Sequence, residues 1–321
     1  MPTVIAHRNG DVTTELDPDL LRASLMQRGN EIWIDITDPT RQQADILIEL
    51  FGFDRDELEE VFYKNSRPHV ETKPDYYFIV FYAGSCNPHS ARIQFEPVYI
   101  FAGVNFLVTI HMPPMSAITE TMNRWRMNGN PLESHVGSAL LAVQDALVDD
   151  YNPVLDVMAD LVDEVENEIF VESDQGPIQK IFGLKKNLLL FRRIVAPERD
   201  IVNLLLRRDL PIFTTGDMPV AQDLYNRMVR LAESIDLYRD LLSNALDSHI
   251  SMQSNRLNET IRVLTVASIL LMTNALIAGI YGMNFDVIPG MHLVYGSYIL
   301  LGIMLLLGVG MFIIFRKKEW L

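Results

Sequence analysis

Cysteine is almost absent from this 321-residue sequence, which contains only Cys86. A single cysteine excludes a disulfide framework and any metal site of the C-x-x-C type. The sequence also lacks a Walker A loop, a G-x-G-x-x-G motif and an H-E-x-x-H motif. The histidines His69, His89 and His111 are isolated from one another, and nothing in the sequence indicates a catalytic triad. We therefore expect no enzymatic activity.

Positive charge is also scarce, because 27 Lys and Arg residues stand against 42 Asp and Glu residues, a net charge of −15. This balance argues against a nucleic-acid partner and favours the attraction of cations. The mean hydropathy of +0.11 is nevertheless high for so acidic a chain. Apolar residues must therefore be concentrated in one part of the sequence.

That part is the C-terminal end, where charge is missing from two long windows. Residues 263–285 and 287–315 contain no Asp, Glu, Lys or Arg, which gives 23 and 29 uncharged residues. A helix needs about 20 residues to cross a bilayer. We expect two membrane spans, the second at residues 295–315, joined by an external loop at 285–294 that contains Pro, Gly and His.

The charges that flank the two spans predict the orientation of the chain. Arg256 and Arg262 precede the first span, and a basic tail at 316–321 begins with Arg316, Lys317 and Lys318. Basic residues at both outer ends place both termini in the cytoplasm by the positive-inside rule. Residues 1–10 have no apolar core, so we expect no signal peptide and place the protein in the plasma (inner) membrane.

Glycine and proline are absent from Val220 to Ala278, a run of 59 residues. We predict one very long stalk helix at 219–284 that continues into the first span and is about 90 Å long over that run. Apolar residues alternate four and three apart, which indicates packing on other helices; they are Leu224, Met228, Leu231, Ile235, Tyr238, Leu242 and Ala245. The alternative is two helices with a bend near Asn244 or Ser251.

Residues 126–218 show a contrast in charge. Met127 to Gln179 contains twelve acids and no Lys or Arg, whereas Lys180 to Arg208 contains eight basic residues and two acids. A turn at 174–177 separates the two segments. We interpret them as a helical hairpin whose arms neutralise each other; the alternative is an acidic surface that concentrates divalent cations.

The first 125 residues have the two-residue period and short apolar runs of strands. Strands are expected at Thr3–His7, Ile32–Ile36, Tyr77–Tyr82, Ile93–Gly103 and Phe106–His111. Helices are expected from Asp38 as N-cap with Pro39 as first residue to Phe51, and from Asp54 to Tyr63. The fold class is an α+β cytoplasmic domain, a mixed sheet flanked by helices, ahead of the stalk helix and two transmembrane helices.

The first span carries polar residues, among them Ser268, Thr273 and Asn274. Polar groups at membrane depth need partners or water, which indicates self-association around an axis. One helical stripe would then line a pore without charge; it consists of Ile261, Leu264, Ser268, Met272, Ala275 and Gly279. A small divalent cation such as Mg2+ loses water reluctantly, so it would have to cross such a pore largely hydrated. A symmetric ring of Asn284 amides could accept hydrogen bonds from its water shell.

Tyr281-Gly282-Met283-Asn284 resembles the CorA-type magnesium transporters, whose hallmark is Gly-Met-Asn at the external end of the first of two C-terminal spans. The stretch from Val263 to Tyr281 is similar to the pore helix of that family. Asn105 to His111 and the pair Arg67-Pro68 are similar to its cytoplasmic domain. The resemblance therefore covers nearly the whole chain.

This resemblance implies a funnel-shaped homopentamer that takes up Mg2+, and often Co2+ or Ni2+, driven by the membrane potential. Gly282, Met283 and Asn284 would form the selectivity filter, and Leu264 and Met272 would narrow the pore. Asp223 matches an acid that helps to bind a regulatory Mg2+ between subunits. No cofactor is implied beyond Mg2+ as substrate and regulatory ligand.

One segment departs from the family pattern. Many members have Met-Pro-Glu-Leu in the external loop, whereas this chain has Ile288-Pro289-Gly290-Met291 without an acid. The related ZntB-type zinc transporters often carry Ile-Pro-Gly there, so zinc transport on the same scaffold remains an alternative. Met283 favours magnesium. A third alternative is a membrane-anchored sensor or scaffold that conducts nothing.

Overall fold

The computed structural model describes residues 3–7, 12–14, 16–26, 29–63, 66–87, 92–127, 135–171, 176–207, 212–283, 288–289, 294–318 and 320. The chain forms two compact units, Met1–Asn244 and Ala245–Leu321.

The first unit contains a mixed seven-stranded sheet. Its strands are β1 (Thr3–His7), β2 (Val12–Thr13), β3 (Ile32–Thr37), β4 (His69–Thr72), β5 (Tyr76–Asn87), β6 (Arg92–Gly103) and β7 (Phe106–His111). Their order is β2-β1-β3-β7-β6-β5-β4. Among the described strands, β3 and β7 pair in parallel, and the other pairs are antiparallel. The predicted mixed sheet is therefore confirmed.

Helices accompany this sheet and follow it. They are α1 (Pro18–Met26), α2 (Arg41–Phe51), α3 (Arg55–Tyr63), α4 (Ser116–Met127), α5 (Val136–Asp149), α6 (Tyr151–Val171), α7 (Gly176–Arg207), α8 (Met218–Tyr281) and α9 (Gly296–Lys317). The sequence patterns missed β2, β4, α1, α4 and α5. The described part of the predicted hairpin at 126–218 therefore contains three helices, α5, α6 and α7, and not two.

The predicted start of α2 is wrong. Thr40, not Asp38, is the N-cap: the Gln43 backbone N–H donates to Thr40 Oγ1 over 3.2 Å, and the Thr40 N–H donates to Gln43 Oε1 over 2.9 Å. This reciprocal capping box satisfies two free donors at once. Asp38 instead adopts a left-handed conformation with φ of 54°.

The central strands β3 and β7 are buried along nearly their whole length. Polar residues on these strands bond to one another: Trp33 Nε1 donates to Thr109 Oγ1 over 3.1 Å, and Thr109 Oγ1 donates to Asp35 Oδ1 over 2.6 Å. His111 Nε2 lies 3.1 Å from the same oxygen. These four buried polar side chains on β3 and β7 therefore satisfy one another within the core.

Only part of the charge contrast between α6 and α7 is neutralised within that pair. Lys180 pairs with Glu164 and Glu168 of α6. Two other basic residues of α7 contact α8 instead: Lys185 Nζ donates to Ser243 Oγ over 2.8 Å, and Arg192 Nε lies 2.5 Å from Asp236 Oδ1. Asp156, Asp160 and Asp163 of α6 are exposed. The basic residues of α7 thus connect this helix to both α6 and α8.

The stalk is one helix, α8, with no break at Asn244 or Ser251. Its predicted seam is buried at every position except the half-buried Tyr238, and the buried members are Leu224, Met228, Leu231, Ile235, Leu242 and Ala245. The four-three spacing therefore identifies the packed face correctly.

A buried carboxyl group, Glu198 of α7, joins the sheet to α6. The Tyr82 backbone N–H donates to Glu198 Oε1 over 2.8 Å, and Tyr151 Oη lies 2.8 Å from both Glu198 Oε2 and the Tyr82 carbonyl oxygen. The Tyr151 hydroxyl has one proton, which it donates to the Tyr82 carbonyl. A protonated Glu198 can then donate to Tyr151 Oη, and this hydrogen bond closes the ring. Complete burial raises the pKa of Glu198 well above its usual value.

We expect Glu198→Gln to preserve this ring, because its amide both donates to Tyr151 and accepts from Tyr82. The raised folded-state pKa means that the parent loses stability as pH rises from about 4.5 towards the folded pKa, by at most about 1.4 kcal/mol per pH unit. In thermal unfolding of the full-length chain in detergent, the melting temperature of Glu198→Gln relative to that of the parent should increase from pH 5 to 8.5.

Tyr151→Phe serves as the comparison, since it breaks the ring at every pH and should lower the melting temperature throughout. Parallel curves for the parent and Glu198→Gln would contradict a neutral Glu198.

The second unit contains the C-terminal part of α8 and all of α9. Both helices contain a window long and apolar enough to cross a membrane. The observed α9 begins one residue after the predicted span and ends two residues beyond it. Of the predicted external loop at 285–294, residues 285–287 and 290–293 lie outside the described residues.

Candidate functional site

The candidate filter begins where α8 ends at Tyr281. The Gly282 N–H donates to the Ala278 carbonyl over 2.9 Å, and the Met283 N–H donates to the Ile280 carbonyl over 3.4 Å. Met283 is 47% exposed. Tyr281 Oη donates to the Pro289 carbonyl over 3.2 Å, which ties the helix end to the loop. Asn284, the predicted centre of the filter, lies outside the described residues.

The predicted pore stripe is exposed along its whole length in the single chain, as is most of the span around it. Leu264 is 66% and Met272 73% exposed; Ile261, Ser268, Ala275 and Gly279 are exposed as well. Residues three and four apart share one helix face, so these six positions form a continuous uncharged surface.

Hydroxyl groups add acceptors to this part of the helix. Ser268 Oγ donates to the Leu264 carbonyl over 2.8 Å, and Thr265 Oγ1 donates to the Ile261 carbonyl over 2.7 Å. Each hydroxyl proton is thereby used within the helix, while the oxygen keeps lone pairs that can accept. An oxygen of this kind suits the water shell of a cation, whose hydrogens point outward.

Another face of the span packs against α9. Val266 is 1% exposed, and Asn274 Nδ2 donates to the Leu270 carbonyl over 3.1 Å. A Cβ added to Gly308 of α9 would lie 3.7 Å from Asn274 Nδ2, an ordinary contact distance, so the two helices lie close together at this point. The polar residues of the span therefore divide: Ser268 belongs to the exposed stripe and Asn274 to the contact with α9.

The predicted regulatory residue Asp223 lies in an ion-pair cluster of the first unit. Its Oδ2 atom lies 3.3 Å from Arg227 Nε, and Asp149 Oδ1 lies 2.7 Å from Arg227 Nη1. Asp145 also pairs with Arg227. Burial and the neighbouring Arg230 lower the pKa of Arg227. One guanidinium thus stands among three carboxylates of α5 and α8, and the Asp223 side chain is 68% exposed.

Among the described residues, no three His, Cys, Asp or Glu side chains of the single chain are grouped to hold a metal ion. Asp223 alone is an insufficient ligand set, since Mg2+ is usually held by carboxylates together with waters or other oxygen ligands. A metal at Asp223 would therefore need ligands from another chain or from water. The basic tail residues Arg316, Lys317 and Lys318 are exposed at the end of α9.

Sequence reasoning missed Arg227 and the contact between Asn274 and Gly308. A signal for the first was present, because Asp223 and Arg227 stand four apart on one helix, the spacing of a helical ion pair. Asp145 and Asp149 are separated from Arg227 by about eighty residues, so no local pattern connects them. Gly308 gives no signal in an apolar span.

A mixed α/β domain, one long helix leading to Gly282-Met283 and two C-terminal spans define a class of membrane ion transporters. A family model described as CorA-like Mg2+ transporter protein matches residues 29–317. The chain belongs to the CorA family of divalent cation transporters. Because that family consists of ion transporters, the prediction that the protein is not an enzyme is confirmed.

Individual relatives agree with this assignment. The chain is 30% identical over 291 residues to the cobalt/magnesium transport protein CorA of Thermotoga maritima, covering 90% of this chain and 83% of the relative. The structure of the CorA magnesium transporter from Methanocaldococcus jannaschii has the same fold, with a TM-score of 0.83 at 24% identity, covering 100% and 99% of the two chains.

A zinc transporter is also among the relatives. The chain is 21% identical over 257 residues to the zinc transport protein ZntB of Pectobacterium carotovorum, covering 79% of this chain and 77% of the relative. The family thus includes relatives named for magnesium, cobalt and zinc transport, so membership alone does not define the transported metal.

Proposed function

We propose that the protein is a homopentameric channel for Mg2+ uptake across the inner membrane. The observation that carries this proposal is the uncharged stripe of α8, which is followed in the sequence by Gly282-Met283-Asn284. In a ring of copies the stripe would face a common axis, and each subunit would contribute one filter segment. Co2+ and Ni2+ are expected as additional substrates.

The uncharged stripe determines how the ion must travel. Apolar side chains cannot replace the water ligands of Mg2+, which dehydrates reluctantly. The ion therefore passes largely hydrated, and neutral acceptors such as Ser268 Oγ, backbone carbonyls and the Asn284 amide oxygen contact its water. The membrane potential contributes about 2.3 kcal/mol per charge per 100 mV, which drives a divalent cation inward.

The proposed topology places both termini in the cytoplasm. Arg316, Lys317 and Lys318 then form a basic ring at the cytoplasmic end of α9, in line with the positive-inside rule. The similarity to the cobalt/magnesium transport protein of Thermotoga maritima supports the choice of metals.

Zinc is the second candidate substrate. Ile288 and Pro289 stand where many CorA-type chains carry Met-Pro followed by an acid, and the ZntB relative is named a zinc transport protein. Met283 is the residue that favours magnesium over zinc here.

A competition experiment separates the candidates. Full-length protein in liposomes should take up Mg2+ under an inside-negative potential, and Co2+ should compete more strongly than Zn2+ does. A preference for Zn2+ would mean that zinc, not magnesium, is the substrate. The absence of flux for all three metals would indicate a non-conducting membrane anchor.

We expect Asn284→Ala to reduce Mg2+ flux by at least tenfold while leaving the oligomer intact, because the filter loses its ring of amide acceptors. Asn226→Ala, the same change at an exposed position near the start of α8, is the control and should retain flux. Flux is measured in proteoliposomes and assembly by size-exclusion chromatography in detergent. Undiminished flux in Asn284→Ala would remove Asn284 from the filter.

Cytoplasmic Mg2+ is proposed to close the pore by binding at Asp223 between subunits. The acidic surfaces of neighbouring subunits repel each other, and a bound divalent cation allows them to pack. When the ion leaves, repulsion loosens the assembly and the pore opens. The exposure of Asp223 and the exposed acids of α6 support this mechanism.

Asp223→Ala should raise the Mg2+ concentration needed for half-inhibition several-fold. Asp240→Ala is a matched control, because Asp240 is 70% exposed on the same helix and also lies near an arginine, Arg239. Flux is recorded at increasing Mg2+ on the cytoplasmic side. An unchanged inhibition curve for Asp223→Ala would place the sensing ions elsewhere, with the acids between Asp145 and Glu168 as the next candidates.

A further inference from the structure

The first unit contains a pocket of about 840 Å3 that the proposed transport mechanism does not use. It is lined by the loop before β4, by β5 and β6, and by one side of α7. Its size lies within the range of pockets that bind small organic molecules. The question is therefore which ligand its walls would select.

One wall is apolar and held rigidly. Phe95 is half-buried, with its ring 5.2 Å from that of Phe191 and 6.1 Å from that of Tyr151. Pro68 and Pro97 are buried beside it. Tyr82 is 7% exposed and its hydroxyl donates to the Ser66 carbonyl. These side chains provide a preformed flat surface for a planar ring.

The charged lining is mostly positive, although the chain as a whole has a net charge of −15. Arg67, Arg192 and Arg193 line the pocket, with Glu96 as the acid. Arg67 and Arg193 are exposed and form no ion pair within the described residues. Free guanidinium groups are well suited to bind phosphate, often through two hydrogen bonds at once.

Pro197 leaves one backbone carbonyl of α7 without its usual helical hydrogen bond. Pro197 lies inside α7 and has no N–H, so the Arg193 carbonyl cannot receive its usual helical hydrogen bond from that position. Both residues line the pocket. Together with the Glu96 carboxylate, this carbonyl can accept from amino or hydroxyl groups of a ligand.

We propose that this pocket binds a nucleotide. The phosphates would pair with Arg67 and Arg193, the base would lie against Phe95 and the two prolines, and amino or ribose hydroxyl groups would donate to the Arg193 carbonyl and Glu96. A phosphate-binding site without a glycine-rich loop is consistent with the missing Walker A motif, because arginine side chains supply the donors.

The pocket also has a direct connection to α8. Arg192 lines it and at the same time pairs with Asp236 of α8 at 2.5 Å. A bound phosphate would compete with Asp236 for this guanidinium, so binding would weaken a link between α7 and α8. Nucleotide binding itself does not depend on which metal is transported.

The test measures binding of ATP to the purified full-length protein in detergent by isothermal titration calorimetry, with EDTA present. We expect saturable binding that Arg193→Gln and Arg67→Gln each weaken at least tenfold, and Phe95→Ala several-fold. Lys186→Gln, which removes one charge from an exposed position of α7 outside the pocket, should change the affinity less than twofold. Asp236→Asn should tighten binding several-fold.

Adenosine and inorganic phosphate separate the two parts of the proposed site. Each should bind at least tenfold more weakly than ATP. Absence of saturable ATP binding, equal affinity for inorganic phosphate and ATP, or an equal effect of Lys186→Gln and Arg193→Gln would each overturn the proposal. Mg2+ flux of the Arg193→Gln variant, measured without nucleotide, should equal that of the parent, which distinguishes this result from a failure of transport.

Discussion

The constraint on which the account depends is the cost of taking water from a small divalent cation inside a membrane. The predicted conducting face of α8 contains no charged residue that could replace lost water ligands. A path along this face therefore has to be wide and wet, with selectivity assigned to neutral oxygens near Gly282-Met283-Asn284. The hydroxyl oxygens of Ser268 and Thr265 can accept hydrogen bonds from the water of such a path, because their own protons are already bonded within the helix.

The proposed control of such a path lies in the first unit, where charged and polar contacts join its elements. Glu198 connects β5, α6 and α7, Arg192 connects α7 to α8, and Arg227 connects α5 to α8. Two of these contacts involve α8, the helix that also carries the predicted conducting stripe. A change in charge at Asp223, or at the pocket that contains Arg192, would act on contacts of this one helix.

Much of the architecture can be predicted from local patterns. The two windows without charged residues locate both spans, and the run without Gly or Pro locates α8. The four-three spacing of apolar residues identifies the buried seam of α8. Interactions between distant residues could not be predicted, because neither the pairing of Arg227 with Asp149 nor the ring around Glu198 has a local signature. The predicted N-cap of α2 is wrong for another reason. Asp38-Pro39 and Thr40-x-x-Gln43 are competing start signals, and only the second satisfies two backbone N–H donors at the helix start.

The most direct test of the central claim is thiol labelling at two adjacent positions of the span, in a Cys86→Ser background that leaves no other cysteine. Ser268→Cys lies on the stripe, and Ala267→Cys is rotated from it by about 100° at nearly the same depth. In liposomes without Mg2+, a charged, membrane-impermeant thiol reagent should label Ser268→Cys at least tenfold faster than Ala267→Cys. Equal labelling rates, or no labelling of Ser268→Cys, would contradict a water-filled path along this face.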